Sequence, residues 1–239
     1  MIKIKKIIPA ALLLTSISSA AFADNWNVGA SGSIANIDGT ASDTQVMTRD
    51  GANSRVAQTR GGKSGDATFP FGSIFVEYAK TMNNDLDLII GLDYVPFKAE
   101  IDSVSRTDSS LEVGNADGVS TTGVRKAKLE LENYATLYLQ PTFKVGGGTA
   151  VYGKVGYIHG DVKITGSNTA TSSTINAKDT LKGYTVGLGV QHNINKNLFV
   201  RLEGNYTDHD TVTATDSKNT TFTADSEIYA GKIAIGYSF

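Results

Sequence analysis

Residues 229–239 read Tyr-Ala-Gly-Lys-Ile-Ala-Ile-Gly-Tyr-Ser-Phe, and the alternation in this stretch decides the fold. Successive side chains of a strand point to opposite sides, so Tyr229, Gly231, Ile233, Ile235, Tyr237 and Phe239 share one face and Lys232 stands on the other. The same period of two recurs in seven earlier runs. Trp26, Val28, Ala30, Gly32 and Ile34 form the first apolar face; Pro70, Gly72, Ile74, Val76 and Tyr78 the second; Leu86, Leu88, Ile90, Leu92 and Tyr94 the third. Leu129, Leu131, Ala135, Leu137 and Leu139 form the fourth, with Asn133 the one conspicuously polar residue in its register. Residues 151–157, 184–190 and 198–206 supply the fifth to seventh. No helical period competes with this pattern.

The connections alternate in length. Met82-Asn83-Asn84, Gly146-Gly147-Gly148 and Asn195-Lys196-Asn197 are tight turns, whereas the stretches near 36–67, 99–126, 164–181 and 207–226 are long and rich in Ser, Thr, Asp, Asn and Gly. Long loops at one end and short turns at the other predict an all-β fold, an eight-stranded antiparallel up-and-down transmembrane β-barrel with both termini on the turn side. A soluble eight-stranded barrel would turn its apolar face inward. The apolar faces carry no charge, which a lipid-facing position demands, since Lys or Arg at the bilayer midplane costs about 2–4 kcal/mol. Their aromatics fall at strand ends, predicting two girdles: Tyr94, Tyr157, Tyr184, Tyr206 and Tyr229 at the long-loop rim, and Trp26, Tyr78, Tyr237 and Phe239 at the turn rim.

Residues 1–23 carry Lys3, Lys5 and Lys6, an apolar stretch from Ile7 to Leu14, and Ala21-Phe22-Ala23, the layout of a cleaved secretory signal peptide. The barrel domain is then expected over 24–239. Cleavage removes three lysines and no acid, taking the net charge from −2 to −5. An acidic chain argues against nucleic-acid binding. The absence of cysteine excludes disulfides and thiolate chemistry. A mean hydropathy of −0.14 resembles that of a soluble protein only because lipid-facing, lumen-facing and loop residues are averaged together.

The signal, the eight alternating strands and the final Ile233, Ile235, Tyr237 and Phe239 resemble small Gram-negative outer-membrane barrels: the OmpA transmembrane domain, OmpX and the opacity-type proteins. The resemblance spans residues 24–239. It implies an outer-membrane location with periplasmic termini and extracellular loops, a monomer surrounded by outer-membrane lipid and lipopolysaccharide, and an assembly signal at Tyr237 and Phe239 read by the barrel assembly machinery. With the chain ending at Phe239, a peptidoglycan-binding domain of the OmpA kind is not expected.

If the apolar faces meet lipid, Glu77, Asp93, Glu130, Glu132, Lys154, Arg201, Glu203 and Lys232 point into the lumen. Eight strands leave room only for side chains, so these charges are expected to pair and plug it. The resemblance adds a second possibility, that such pairs switch to pass small ions. Enzymatic chemistry is not expected. His159 and His192 lack a serine at nucleophile spacing, and Asp208-His209-Asp210 only faintly resembles the Asp and His pairing of ten-stranded outer-membrane proteases. Gly62-Lys63-Ser64 ends like a phosphate-binding loop, but Ala57 stands where its first glycine belongs. Asp43, Asp50, Asp102, Asp108 and Asp117 are too dispersed for a calcium loop, and no metal or cofactor is expected. The loops remain. Arg49, Arg55, Arg60 and Lys63 could engage lipopolysaccharide phosphates or a host polyanion, although Asp43, Asp50 and Asp66 lie among them. A non-enzymatic structural and surface-recognition role, toward a cell-surface or phage ligand, is therefore expected, with a small gated channel as the alternative and a rim hydrolase as a remote one.

Overall fold

The computed structural model describes residues 25–48, 55–112, 120–169, 173–215 and 220–239. The expected signal segment 1–23 lies outside them. Nine strand segments follow in chain order: β1 (Asn25–Thr48), β2 (Arg55–Thr81), β3 (Leu86–Tyr94), β4 (Ala99–Glu112), β5 (Ser120–Gly146), β6 (Thr149–Asn168), β7 (Ser173–Asn193), β8 (Leu198–Thr215) and β9 (Thr220–Ser238). Every pairing is antiparallel, and β3 joins both β2 and β5, which closes a ring of eight strands. β4 continues the line of β3 along the same neighbour, β5, after a break at Val95-Pro96-Phe97-Lys98. Proline cannot donate to the ladder at that point, and the Val95 N–H turns to the Tyr134 carbonyl at 2.9 Å.

The three tight turns cap one end. Asn83 Oδ1 accepts from the Asp85 N–H at 2.9 Å and Asn195 Oδ1 from the Leu198 N–H at 2.8 Å, the local bonds for which Asn is selected in turns. In the glycine turn, Gly146, Gly147 and Gly148 all take positive φ, which explains why a third consecutive side chain is missing there.

Outward residues of the lower half form a broad apolar belt: Ile34 is 66% exposed, Leu188 75%, Leu202 63% and Ile233 67%. A belt of this kind cannot face water on a soluble protein and marks a lipid-facing wall. Aromatic pairs bound it above and below. Tyr157 meets Tyr184 edge-on and Tyr206 meets Tyr229 at a tilt, at centroid separations of 5.5 and 5.1 Å, while Trp26 meets Tyr78 and Tyr237 meets Phe239 at 5.3 and 5.1 Å. Tyr94 lies at the upper level, opposite Ile74 and Ala135.

The stretches expected to be long loops are mostly strand. β1, β2 and β5 run 24, 27 and 27 residues, far beyond the roughly ten needed to cross a bilayer. Their Ser, Thr, Asp and Gly content reads as loop because the faces trade roles above the upper girdle. Inside the belt the inward residues are charged, polar or small, interleaved with rings such as Phe75 and Phe199, and the outward ones are apolar; above it Ala35, Phe69, Ala99, Ile101, Leu131, Val162, Leu181, Val212 and Ile228 pack into one buried apolar cluster, and polar residues face out.

Above the belt the ring also opens. The β2–β3 ladder ends at Ile74–Tyr94, no ladder joins β2 to β4 among the described residues, and the β7–β8 ladder ends at Gly183–His209. The remaining ladders continue to Thr48–Arg55, Gln45–Thr220, Thr215–Thr221, Glu112–Ser120, Arg125–Asn168 and Asn168–Ser173. The upper half is therefore two four-stranded sheets, β2-β1-β9-β8 and β4-β5-β6-β7, closed over a shared apolar core. It is a cap built as a sandwich on top of a barrel.

Candidate functional site: the lumen and its cap

Inward-facing positions of the lower half bring six of the expected lumen charges together. Arg201, on β8, forks onto Glu77 of β2, with Nη1 to Oε1 at 2.5 Å and Nη2 to Oε2 at 2.8 Å. Such two-pronged geometry suits guanidinium and carboxylate and is stronger than a point contact. Glu77 also accepts from the Tyr138 hydroxyl at 2.6 Å and the Asn27 amide at 3.1 Å, and Arg201 Nε donates to Gln191 at 2.8 Å. Lys154 meets Glu203 at 2.6 Å, Tyr152 donates to the same carboxylate at 2.8 Å, and Lys232 reaches Asp93 at 2.8 Å. Three cations and three anions balance, which is what a closed, low-dielectric lumen requires.

Aromatic rings complete the filling. The Arg201 guanidinium lies 4.6 Å from the Phe199 ring centre and 5.5 Å from those of Phe75 and Tyr152, and Lys154 Nζ sits 4.3 Å from that of Tyr138. Two of these rings stand directly opposite a glycine, Tyr138 against Gly91 and Tyr152 against Gly189. A Cβ at Gly91 would come within 2.4 Å of the Tyr138 ring and one at Gly189 within 2.3 Å of the Tyr152 ring. These glycines let the rings lie flat across the narrow lumen so that their hydroxyls reach Glu77 and Glu203. The space left between the charges and the apolar cap, bordered by Thr136, Thr185, Asn205 and Thr207, is about 50 Å³, and Glu203 Oε1 has no hydrogen-bond partner among the described residues. Phe69, Phe71, Leu131 and Ile158 supply an apolar remainder of its wall, and the volume is enough for a few waters beside the carboxylate.

Glu130 and Glu132 do not join this network. Asn133, at φ 52°, inserts one extra residue into β5, and the β5–β6 register shifts between Glu132 and Ala135. Below the bulge Tyr134, Thr136 and Tyr138 face in and Leu137 and Leu139 face lipid; above it Leu131 turns into the cap core, leaving Glu130 and Glu132 outside. There Glu132 pairs with Lys98 at 2.5 Å and Glu130 with Lys128 at 3.0 Å, and Lys128 also reaches Glu100 at 2.9 Å. Leu129 and Leu131, expected on the lipid face, move inward with the same flip. Asn133 donates to Asp161 at 2.7 Å, and with Lys178 at 2.9 Å holds that carboxyl below its ordinary range.

In the cap, His209 is buried above the tyrosine girdle, 3.3 Å from the Tyr134 hydroxyl and 3.4 Å from Ser226 Oγ. Burial pulls its pKa down to about 4, against a smaller opposing pull from Ser226, Asp208 and Asp210. Asp208 and Asp210 are exposed on the opposite face, so the Asp-His-Asp stretch does not gather its three side chains. His159 is exposed, and His192 contacts Thr149 Oγ1 at 3.0 Å beside a tight turn. Gly62-Lys63-Ser64 lies within strand β2 and lacks the loop and helix that hold a phosphate. Among the described residues no group of three His, Asp or Glu could hold a metal. Arg49 lies outside the described residues.

A charge-filled lumen, an apolar belt facing outward and paired aromatic girdles are together the marks of a barrel that crosses a membrane. Residues 9–226 match the outer membrane protein beta-barrel domain family. The chain belongs to that family. Its place is therefore the outer membrane. No curated protein matches the chain. Several solved structures are similar. Ail, the attachment invasion locus protein of Yersinia pestis, is 16% identical, covering 87% of this chain and 99% of Ail at a TM-score of 0.40. OprG of Pseudomonas aeruginosa is 17% identical, over 90% and 95%, at 0.47. The outer membrane protease OmpT of Escherichia coli is 13% identical, over 93% and 99%, at 0.49. Within the barrel family, the partners that sequence reasoning missed are Tyr138, Tyr152, Asn27 and Gln191. The signal for them was their place opposite the apolar, lipid-facing register of their own strands.

Proposed function

We propose that this chain is a non-enzymatic, monomeric outer-membrane barrel whose cap stands outside the cell and recognises a cell-surface or phage ligand, with the tight turns and both termini in the periplasm. The observation that carries this reading is the filling of the lumen. Paired charges and aromatic rings occupy its lower half and an apolar core its upper half, which leaves the polar outer surface of the cap as the part available to a partner. Lipopolysaccharide surrounds the belt, and Tyr237 and Phe239 serve the barrel assembly machinery during insertion.

The test replaces residues 39–66 with a two-residue Asn-Gly turn, which trims the β1–β2 hairpin above the Ala35 and Phe69 layer and leaves the belt intact. Loss of cell adhesion or phage adsorption with unchanged solute permeability and unchanged migration of the unboiled band on gels supports recognition. Changed permeability with unchanged adsorption overturns it. A single cysteine at Ser64 that reacts with an impermeant maleimide on intact cells supports the orientation; reaction only after the outer membrane is opened reverses it. Turnover of lipid A or of a peptide library that disappears in His209→Ala would overturn the non-enzymatic reading.

A second reading, a gated conduit for small ions, is favoured by the unfilled space beside the unpartnered Glu203 Oε1. Planar-bilayer recordings decide it, since frequent open events in the unaltered chain that vanish in Arg201→Ala would replace the filled lumen with a gate.

A further inference from the structure

Two hollows meet on the outer wall of β6–β9. The lower one is apolar, about 870 Å³, and lies between Tyr206 and Tyr229 above and Gly153 and Pro141 below. Its depth comes from glycine: Gly231 stands opposite Gly204, Gly204 opposite Leu188 and Leu188 opposite Gly153, all in the outward register. Gly91 and Gly189 are required by the rings packed on them inside the lumen, but a Cβ at Gly204 or Gly231 would meet nothing within 4 Å. Glycine in a strand costs about 0.5–1 kcal/mol relative to alanine, and no contact among the described residues accounts for this pair. The hollow also slopes. Pairing carries the row that starts at Tyr229 and Tyr206 of the upper girdle through Val186, Val155, Leu139 and Ile90 to Tyr78 of the lower one, so neighbouring positions descend from β9 towards β5. The glycine row runs beside it, from beneath the girdle into the belt. The upper hollow, about 430 Å³, is bordered by Asp38, Asp66, Asp208, Asp225 and Glu227. Asp38 stands opposite both Asp66 and Glu227, and Glu227 opposite Asp208, an arrangement in which like charges destabilise a sheet. Among the described residues no cation pairs with any of the five. The Tyr229 hydroxyl reaches Glu227 at 3.4 Å, so the carboxylates begin where the apolar hollow ends.

We propose that the two hollows together bind one lipid of the surrounding bilayer whose head group carries an amine cation, with its hydrocarbon chain laid along the glycine row. The lower hollow starts at the girdle and slopes into the belt, which is the path of an acyl chain and not of a water-soluble ion. At the level where that lipid's head group stands, a cation relieves the repulsion within the carboxylate row, while an anionic head group adds to it. A bare divalent ion fits less well, since no group of three acidic or histidine side chains among the described residues could hold a metal and the lower hollow would stay unused. A second copy of the chain meeting this wall across a two-fold axis along the membrane normal would set carboxylate row against carboxylate row.

The experiment places the full chain in phosphatidylcholine vesicles with octadecylamine, methyl stearate or phosphatidylglycerol as the probe, each carrying a nitroxide near the end of its chain. Electron paramagnetic resonance at neutral pH reads the fraction of probe held immobile by the protein. The amine is expected to associate at least threefold more strongly than the ester. That preference should vanish when Asp38→Asn, Asp208→Asn and Glu227→Gln are combined, and in about 1 M salt, where charges are screened beyond about 3 Å. Gly204→Leu with Gly231→Leu fills the lower hollow without touching a carboxylate and should cut the preference at least twofold, with the matching alanine pair in between. Migration of the unboiled band on gels verifies that each variant is a folded barrel. No preference in the native chain, or one that survives loss of the carboxylates, overturns the proposal. A preference indifferent to the glycine substitutions also overturns it, because general attraction to an acidic surface would then suffice. Stronger association of phosphatidylglycerol once magnesium is added would replace the amine with a metal-bridged phosphate, and a disulfide-linked dimer of Gly231→Cys in the bilayer would replace the lipid with a second copy.

Discussion

At the residue scale, Arg201 and Glu77 are each almost fully buried and each depends on the other. Removing one member of such a pair leaves an uncompensated charge and costs about 3–5 kcal/mol, whereas removing both with shape preserved is close to neutral. Arg201→Met is therefore expected to lower barrel stability by about that amount in urea titrations, and Glu77→Gln with Arg201→Met to recover more than half of the loss. A double variant no better than the single one would mean that Phe75 and Phe199 depend on the guanidinium more than Glu77 does. His209 carries a pH dependence. Its pKa of about 4 in the folded cap lies below the unfolded value near 6.5, so the unfolded state binds the proton first. The stability that neutral His209 contributes is intact above pH 6.5 and is lost as pH falls from there towards 4, up to about 3 kcal/mol. Amide exchange in the upper parts of β8 and β9 should accelerate across that window in the native chain and stay flat in His209→Phe. Both residues were visible in the sequence, one as an inward charge and one as a lone histidine between aspartates. Which face each occupied followed from parity alone, because no bulge intervenes on β8 before His209.

At the scale of elements, β5 shows where parity counting fails. Glu130 and Glu132 share their parity with Tyr134 and Thr136, and only the extra residue at Asn133 separates them. A bulge leaves no composition behind; its sole trace is an asparagine, one of the few side chains at ease with positive φ. Deleting Asn133 should restore a single parity along β5. Glu130 and Glu132 would turn inward against the apolar cap core and Leu131 outward, a change expected to destabilise the cap by several kcal/mol and to abolish protection of β5 above the girdle in amide exchange. Asn133→Gly keeps the bulge and should cost less than about 1 kcal/mol. Conversely, β1 was legible as far as Ile34, and its continuation to Thr48, expected as loop, left one trace. Ile34 closes the lipid face, and Ala35 and Ile37 open the core face one residue later, so the change of phase is written in the sequence as a pair of adjacent apolar residues. The split into two sheets was not legible, because it depends on which backbones fail to meet and no side-chain pattern records that.

For the whole molecule, the change of phase fixes where the protein floats. Asp66, Asp38, Glu227 and Asp208 stand side by side on four neighbouring strands, facing outward just above the Tyr206–Tyr229 pair. Sinking the barrel by a single pair of residues would bring this row to the hydrocarbon edge, and raising it would wet Trp26, Tyr78 and the final aromatics. The carboxylates act as a waterline painted on a hull. A lipid bilayer too thick for the belt should therefore thin around it rather than swallow the cap, and insertion should fall off more steeply in long-chain than in short-chain vesicles. Substituting Asp38 and Glu227 by Leu should relax that discrimination, and an unchanged chain-length profile would show that the depth is set elsewhere.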